Sequence, residues 1–339
     1  MHEPSPWVSI LLRPASWCFE AIVQVRRRRF DSGRGSVRLG MPVISVGNLT
    51  AGGTGKTPMC RWIVEQVQDA GRRPAIALRG YRAAATGFSD EAAEYEERLD
   101  GVPIAVGADR VASVSLIDPP PQVLVLDDGF QHRRVHRDLD VVLIDATRPG
   151  LDQPMLPAGI RREPCSALRR ADAVIVTRSS GVDQSLSEVI ERHHGRPPLA
   201  WTRHRWTSVM EFREEKKTEL EIGQLQGRRL ATLFGVGNPA SIRDAVESAG
   251  GVIVHDQPAR DHAAHDAASV SRLVAAARAA GADAVITTFK DWVKLRLHIT
   301  SLDGLPVIVP MVEIEFLEGE ELFRGLIDEV LEASPSVPG

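Results

Sequence analysis

The sequence predicts an α/β fold in two parts: a core domain with a mostly parallel sheet, and a smaller α/β domain joined to it by a strand linker. Three observations carry this. Between residues 41 and 178, strand-length apolar runs recur ("PVISVG", "PAIALRGY", "VPIAVG", "PQVLVLDDG", "LDVVLIDA", "ADAVIVTR") with helical or loop stretches between them. The runs are nearly continuous rather than alternating, as in strands buried on both faces under helices. After about residue 195 the pattern changes to alternation and then returns to strand, glycine turn and helix.

The elements follow in order. "PVISVG" ends at a glycine-rich turn, and "KTPMCRWIVEQVQDAG" after it reads as a helix closed by Gly71. Ligands of open α/β sheets sit at the carboxyl ends of the strands, which places Gly47, Arg79, Asp127, Asp145 and Thr177 near one rim. "PLAWTRHRWTSVMEFREEKKTEL" alternates and reads as a strand pair or linker. "RRLATLFGVGNPASIRDAVESAG", "GVIVHDQ", "ASVSRLVAAARAAG", "ADAVITTF" and "LPVIVPMVEIEF" build the second domain. The boundaries read as an N-terminal helix at 1–30, a core at 31–198, a strand linker at 199–224, the smaller domain at 225–330 and a disordered tail at 331–339.

Of the 339 residues, 43% are hydrophobic and 25% charged, a soluble globular balance. The net charge of −4 argues against a general nucleic-acid binder. Three cysteines (Cys18, Cys60, Cys165) in no paired or metal-ligand spacing suggest a reducing compartment. Residues 7–30 are rich in large apolar side chains and end in Arg26-Arg27-Arg28-Arg29. Arg13, Pro14 and Glu20 interrupt the run, against a spanning helix. The basic block follows the apolar run, the reverse of a signal peptide. Two readings stay open: a helix lying in a membrane interface, anchored by Trp7 and Trp17 with arginines toward anionic headgroups, or a helix packed on the protein.

"VGNLTAGGTGKTP" carries the first chemistry. Gly52, Gly53 and Gly55 allow backbone N–H groups to turn inward around phosphate oxygens. Lys56 reaches the β- and γ-phosphates, Thr57 offers a hydroxyl to Mg²⁺, and the helix N-terminus adds its dipole. The pattern departs from the usual phosphate loop at Thr50, where a glycine is expected; a bare glycine turn is the bland alternative. "VLVLDDG" delivers Asp127 and Asp128 to a strand end, where P-loop NTPases hold Mg²⁺. Loop and carboxylates together indicate a nucleoside triphosphate with Mg²⁺. Without an N-K-x-D stretch to read guanine, ATP is favoured over GTP.

The ordered set "SVGNLTAGGTGKTP", "LRGY", "SDEA", "LDDGFQHRR", "LPAGIRREP", "FGVGNPASI", "RDHAAHD" and "TTFKDWVKL" resembles the tetraacyldisaccharide 4′-kinases, the lipid A 4′-kinases of Gram-negative bacteria. Thr50 belongs to that family's form of the loop. The resemblance implies a P-loop core and a smaller α/β domain joined by a strand linker. It also implies transfer of the γ-phosphate of ATP, with Mg²⁺, to the 4′-hydroxyl of a tetraacyldisaccharide 1-phosphate. The setting it implies is the cytoplasmic face of the inner membrane, with an N-terminal helix in contact with lipid as a peripheral or monotopic anchor.

For the site, the resemblance implies Asp90 as base assisted by His262, in different predicted domains, and Lys56 in catalysis. The nucleotide falls to Thr50, Gly52, Gly53, Thr54, Gly55, Lys56, Thr57 and Arg162. The acceptor falls to Asn48, Arg79, Tyr81, Gln131 and His132, and Mg²⁺ to Thr57, Asp127, Asp128 and Glu163. Bland alternatives accompany them. Asp90 caps a helix or is solvated, and His262 with Asp261, His265 and Asp266 caps a turn or makes a weak zinc site. Arg79 pairs with an acid, Gln131 and His132 pack a loop, and Arg162 and Glu163 form a salt bridge. "SDEA", "LRGY" and "TTFKD" stand where the family commonly has "GDEP", "SRGY" and "TTEKD", and "DHAAHD" lacks the second aromatic or histidine. The rival readings are a membrane-associated P-loop ATPase switch acting on a protein partner and a soluble small-metabolite kinase.

Overall fold

The structure, a computed structural model, describes residues 6–33, 35–80, 89–214, 216–235, 239–258 and 266–333. The chain divides into two compact units, Met1–His204 with Ile314–Gly339, and Arg205–Glu313.

The first unit holds strands β1 (Val43–Asn48), β2 (Pro74–Leu78), β3 (Ile104–Val106), β4 (Val123–Asp127), β5 (Leu139–Asp145) and β6 (Ala173–Thr177), with the start of β7 (Ala200–Arg213). Their order is β7-β6-β5-β1-β4-β2-β3, and every pairing is parallel. Alternate residues of β5 explain the apolar runs. Leu139, Val141 and Leu143 enter one core cluster and Val142 and Ile144 another, so the sheet is covered on both faces.

The first cluster is filled by helix α2 (Lys56–Asp69) through Met59, Ile63, Val64 and Val67. The second is filled by Leu168 and by Leu186 and Ile190 of α5 (Gln184–His194). Two shorter helices, α3 (Asp90–Arg98) and α4 (Arg110–Val114), follow β2 and β3. The register Val46↔Asp127 sets the end of β4 beside the end of β1, so the sheet itself brings the phosphate loop and the acidic pair together.

Helix α1 (Pro6–Asp31) has two unlike faces. Ser9 and Ser16 turn inward: Ser9 Oγ donates to Ala158 O (2.6 Å) and Ser16 Oγ to Met155 O (2.9 Å), while Ala158 N donates back to Ser16 Oγ (3.0 Å). Trp7, Ile10, Leu11, Trp17, Ile22 and Val25 are exposed, Trp7 and Leu11 to about four-fifths. The helix is long and apolar enough to cross a membrane by length and composition alone.

The second unit holds β9 (Arg229–Phe234), β10 (Val252–Pro258), β11 (Ala284–Thr287) and part of β12 (Val307–Glu318), parallel in the order β10-β9-β11-β12. Strand β8 (Lys216–Leu220) pairs antiparallel with β7. Helices α6 (Pro239–Ser248), α7 (Ala267–Ala279) and α8 (Phe289–Leu295) belong to this unit. Leu230, Phe234, Val246, Ile286 and Ile308 form its core. Phe289, the departure in "TTFKD", is buried in the first turn of α8, a place that suits an apolar side chain.

One boundary moves. The sequence carried the smaller domain to residue 330, whereas the chain returns to the first unit at Ile314. The cause is α9 (Glu320–Glu332), whose Phe323, Ile327 and Leu331 share one face and complete the first unit's core. Phe323 stacks on Trp62 of α2 with ring centroids 5.3 Å apart, and burying such a side chain contributes about 1.5–3 kcal/mol. The same helix runs to Glu332 with Leu331 in the core, so the tail expected at 331–339 begins later than the sequence placed it; residues 334–339 lie outside the described residues.

Candidate active site

The loop after β1 turns on two glycines with positive φ, Gly52 at 135° and Gly55 at 84°, conformations that cost L side chains strain. Gly55 is the N-cap of α2 and supplies no side-chain cap, so the first N–H groups of that helix are left for an anion. The segment 155–163, from "LPAGIRREP", runs alongside as a strap. Ala51 N donates to Ile160 O and Arg162 N to Leu49 O, both at 2.7 Å, and Thr50 bridges Arg161. Position 50 is therefore a pairing position on the strap, which accounts for a residue other than glycine there. The same strap receives Ser9 and Ser16 of α1.

Cations and carboxylates meet at the end of β4. Arg162 donates twice to Asp128, at 2.7 and 2.8 Å, and also to the side chain of Asn48. Lys56 Nζ stands 3.4 Å from Asp128. Despite its burial, Lys56 and Arg162 hold the Asp128 carboxyl well below the usual carboxylate range. Asp128 adopts φ 54°, in the left-handed region. Asp127 behaves in the opposite way. It is 4% exposed; burial pushes its carboxyl up, with Lys56 pulling against it. Its Oδ2 accepts from the Tyr95 hydroxyl at 3.0 Å, while its Oδ1 is buried with no hydrogen-bond partner among the described residues.

Glu163 lies next in chain to Arg162 but pairs elsewhere. Arg170 donates to both its oxygens (2.8 and 3.3 Å) and Gln131 Nε2 to one (3.1 Å). The alternative of an Arg162–Glu163 salt bridge is thus replaced by two separate pairs. Gln131 also donates to Asn48 O at 2.9 Å, which ties "DDGFQHR" to the loop. His132 sits against buried Arg110, with Nδ1 3.4 Å from its guanidinium. Burial and then Arg110, Arg26 and Arg137 push the imidazole down to about 4, so it is neutral near pH 7.

Asp90 opens α3, with Ser89 as its N-cap accepting from Ala92 N at 3.2 Å; the cap is Ser89, not Asp90. The same helix carries Tyr95 to Asp127, and Arg110 feels the charges of Asp128, Arg79, Asp127 and Glu91. Helix α3 is thus joined to the end of β4 through Tyr95. Arg79 is exposed at the end of β2. Thr57 is half-buried in the first turn of α2 and Thr54 is buried. Gly53 lies in the loop. Tyr81, Asp261, His262 and His265 lie outside the described residues; Asp266, the fourth member of the weak zinc pattern, is the N-cap of α7 and accepts from Ser269 N at 2.7 Å.

Sequence reasoning missed Tyr95, Arg110, Arg170, Arg178 and His204. Arg170 packs over the Phe130 ring (4.0 Å to its centroid) as well as holding Glu163. An arginine in a sequence carries no sign of which carboxylate it will meet, and a tyrosine on a helix reads as core.

The arrangement has an anion cradle, two cations and a buried carboxylate oxygen without a hydrogen-bond partner among the described residues. The comparisons with known proteins agree. The family model described as tetraacyldisaccharide-1-P 4′-kinase matches residues 8–332. A tetraacyldisaccharide 4′-kinase of Geobacter sulfurreducens is 35% identical over 95% of this chain and 93% of the relative. One of Anaeromyxobacter sp. (strain K) is 34% identical over 94% and 89%. A solved structure of LpxK from Aquifex aeolicus in complex with ATP is similar at TM-score 0.69 and 25% identity, covering 96% of this chain and 99% of that one. The chain belongs to the tetraacyldisaccharide 4′-kinase family.

Proposed function

We propose that this chain is an ATP- and Mg²⁺-dependent kinase. It moves the γ-phosphoryl group onto the 4′-hydroxyl of a tetraacyldisaccharide 1-phosphate, in lipid A biosynthesis, at the cytoplasmic face of the bacterial inner membrane. One observation carries the reading most: Lys56 and Arg162 converge on Asp128, in front of a helix N-terminus without a side-chain cap and beside Asp127, whose buried Oδ1 has no partner among the described residues.

A triphosphate gives those two cations a richer anion than one carboxylate, so both turn to the phosphates on binding. Asp127 Oδ1, Asp128 and the Thr57 hydroxyl are hard oxygen donors that suit Mg²⁺. Glu163 suits it less, since Arg170 and Gln131 already occupy its oxygens. Bound Mg²⁺ supplies neutralisation of charge on the β- and γ-phosphates.

The chain's own residues supply the rest. Lys56, Arg162 and the loop N–H groups align the γ-phosphoryl group. Asp90 accepts the sugar hydroxyl proton as the new P–O bond forms and the bond to ADP breaks, with His262 as its assistant. Asn48, Arg79, Tyr81, Gln131 and His132 border the acceptor. The exposed apolar residues of α1 and its terminal arginines support contact with an anionic membrane surface. Such a helix brings the enzyme to a lipid substrate.

The test is transfer of labelled phosphate from ATP to the 1-phosphorylated acyl disaccharide, with and without Mg²⁺. Labelled lipid is expected only with the metal. ATP turnover that answers to a protein partner, with no labelled lipid, would overturn the proposal.

A further inference from the structure

A phosphate loop presents its N–H groups inward, so its carbonyls point outward and need donors of their own. Two consecutive residues at the carboxyl end of β6 supply them. Thr177 Oγ1 donates to Thr54 O at 2.9 Å, and Arg178 Nη1 donates to Gly53 O at 2.7 Å. The same guanidinium is paired with Asp145 at the end of β5. Asp145 is in turn fixed by Thr147, whose N and Oγ1 donate to its Oδ1 at 2.9 and 2.6 Å. Arg178 Nε also faces His204 Nδ1 at 3.4 Å. Burial and then Arg178 push this imidazole down to about 3, so it is neutral and accepts from Arg178.

The other ring nitrogen of His204 lies 2.6 Å from where a Cβ on Gly55 would be, which closes the underside of the loop. Arg178 holds φ 53° to do this, a backbone state rare in non-glycine residues and one that clusters where a structure over-determines it.

We infer that Arg178, with Thr177, is a positioning residue for the phosphate loop: it fixes the Gly53 and Thr54 carbonyls outward and so pre-sets the loop N–H groups for the triphosphate. Arg178 acts through the loop and does not touch the transferred group. The inference rests on the kinase reading only for its ATP, and its binding test needs no lipid.

The experiment uses the full chain in detergent. It titrates a fluorescent ATP analogue and, separately, measures KM for ATP, KM for the lipid acceptor and kcat. Arg178→Met keeps the length of the side chain and loses its donors. It is expected to raise the analogue Kd and the KM for ATP about tenfold, with the acceptor KM unchanged. Thr177→Val keeps the shape and is expected to raise them about threefold. Arg178→Lys keeps a donor and a charge and should recover part of the Arg178→Met loss.

An Arg178→Met protein that melts earlier but binds the analogue normally has lost only a structural arginine, and overturns the inference. So does a rise confined to the acceptor KM. If the wild-type protein makes no labelled lipid, the kinase reading fails, and the analogue titration still decides the role of Arg178.

Discussion

Two buried aspartates, one in each unit, have opposite surroundings. Asp291 lies in the first turn of α8 in the second unit, 1% exposed, and Asp127 at the end of β4 in the first unit, 4% exposed. Asp291 Oδ2 accepts from Gly235 N and from the Thr288 hydroxyl, both at 2.8 Å, and Thr288 caps the helix by accepting from Asp291 N. It knots a turn. Asp127 has one oxygen held by Tyr95 and one with no hydrogen-bond partner among the described residues. In the same unit Thr54 Oγ1, Gln131 Oε1 and His132 Nε2 are also buried and without a hydrogen-bond partner among the described residues. A buried polar atom without a partner costs about 1–3 kcal/mol. A carboxylate left so beside a cation marks a place kept for a ligand rather than for stability.

The largest test of that contrast is Asp127→Asn against Asp291→Asn. Asp127→Asn is expected to cut phosphate transfer by at least about a hundredfold, since it removes the anionic oxygen aligned with the phosphate machinery. Its melting temperature should hold or rise, because a carboxylate strained by burial is gone. Asp291→Asn should do the reverse. It is expected to cost about 1–3 kcal/mol in denaturant melts, through weakened bonds to a charged acceptor, with turnover per folded molecule unchanged. If both variants lose stability and keep activity, the distinction between the two acids is wrong.

What the sequence made legible follows the same division. The strands of the first unit could be read because residues such as Val141 to Ile144 fill cores on both faces, leaving a continuous apolar signature. The loop could be read because Gly52 and Gly55 need positive φ, and Asp127 with Asp128 because strand ends are where such acids act. The pairing of charges could not be read. Arg162 passes over its chain neighbour Glu163 for Asp128, and Arg170 takes Glu163. These choices depend on how the strap at 155–163 lies along the loop. The return of the chain at Ile314 was hidden for a similar reason. The apolar face of α9 shows in the sequence, but nothing there says that it packs on Trp62.

Acid should separate the units by a smaller margin. His132 and His204, both in the first unit, have folded pKa values pushed down to about 4 and about 3, against an ordinary value near 6.5. Below about pH 6.5 the unfolded chain binds protons that the folded chain does not, so stability falls as pH drops toward 4. In the second unit Asp256 is lowered from the carboxylate value, and its contribution is lost only at still lower pH. A melting temperature that falls between pH 7 and 5 is therefore expected to fall less steeply in His132→Gln. An unchanged slope would place the sensitivity elsewhere.

The smallest effect concerns the strap and the helix docked on it. Ser16 Oγ donates to Met155 O and accepts from Ala158 N, a closed exchange in which both strap groups are served by one buried hydroxyl. Ser16→Ala removes it with little change in volume and leaves both backbone groups without that partner, at about 1 kcal/mol. If the strap carries Arg162 to its place as the geometry indicates, the loss should reach the nucleotide: KM for ATP should rise about two- to threefold. Asp291→Asn, which loosens only the second unit, should leave that constant alone. Equal KM values for ATP in the two variants would mean that α1 is docked beside the site without supporting it.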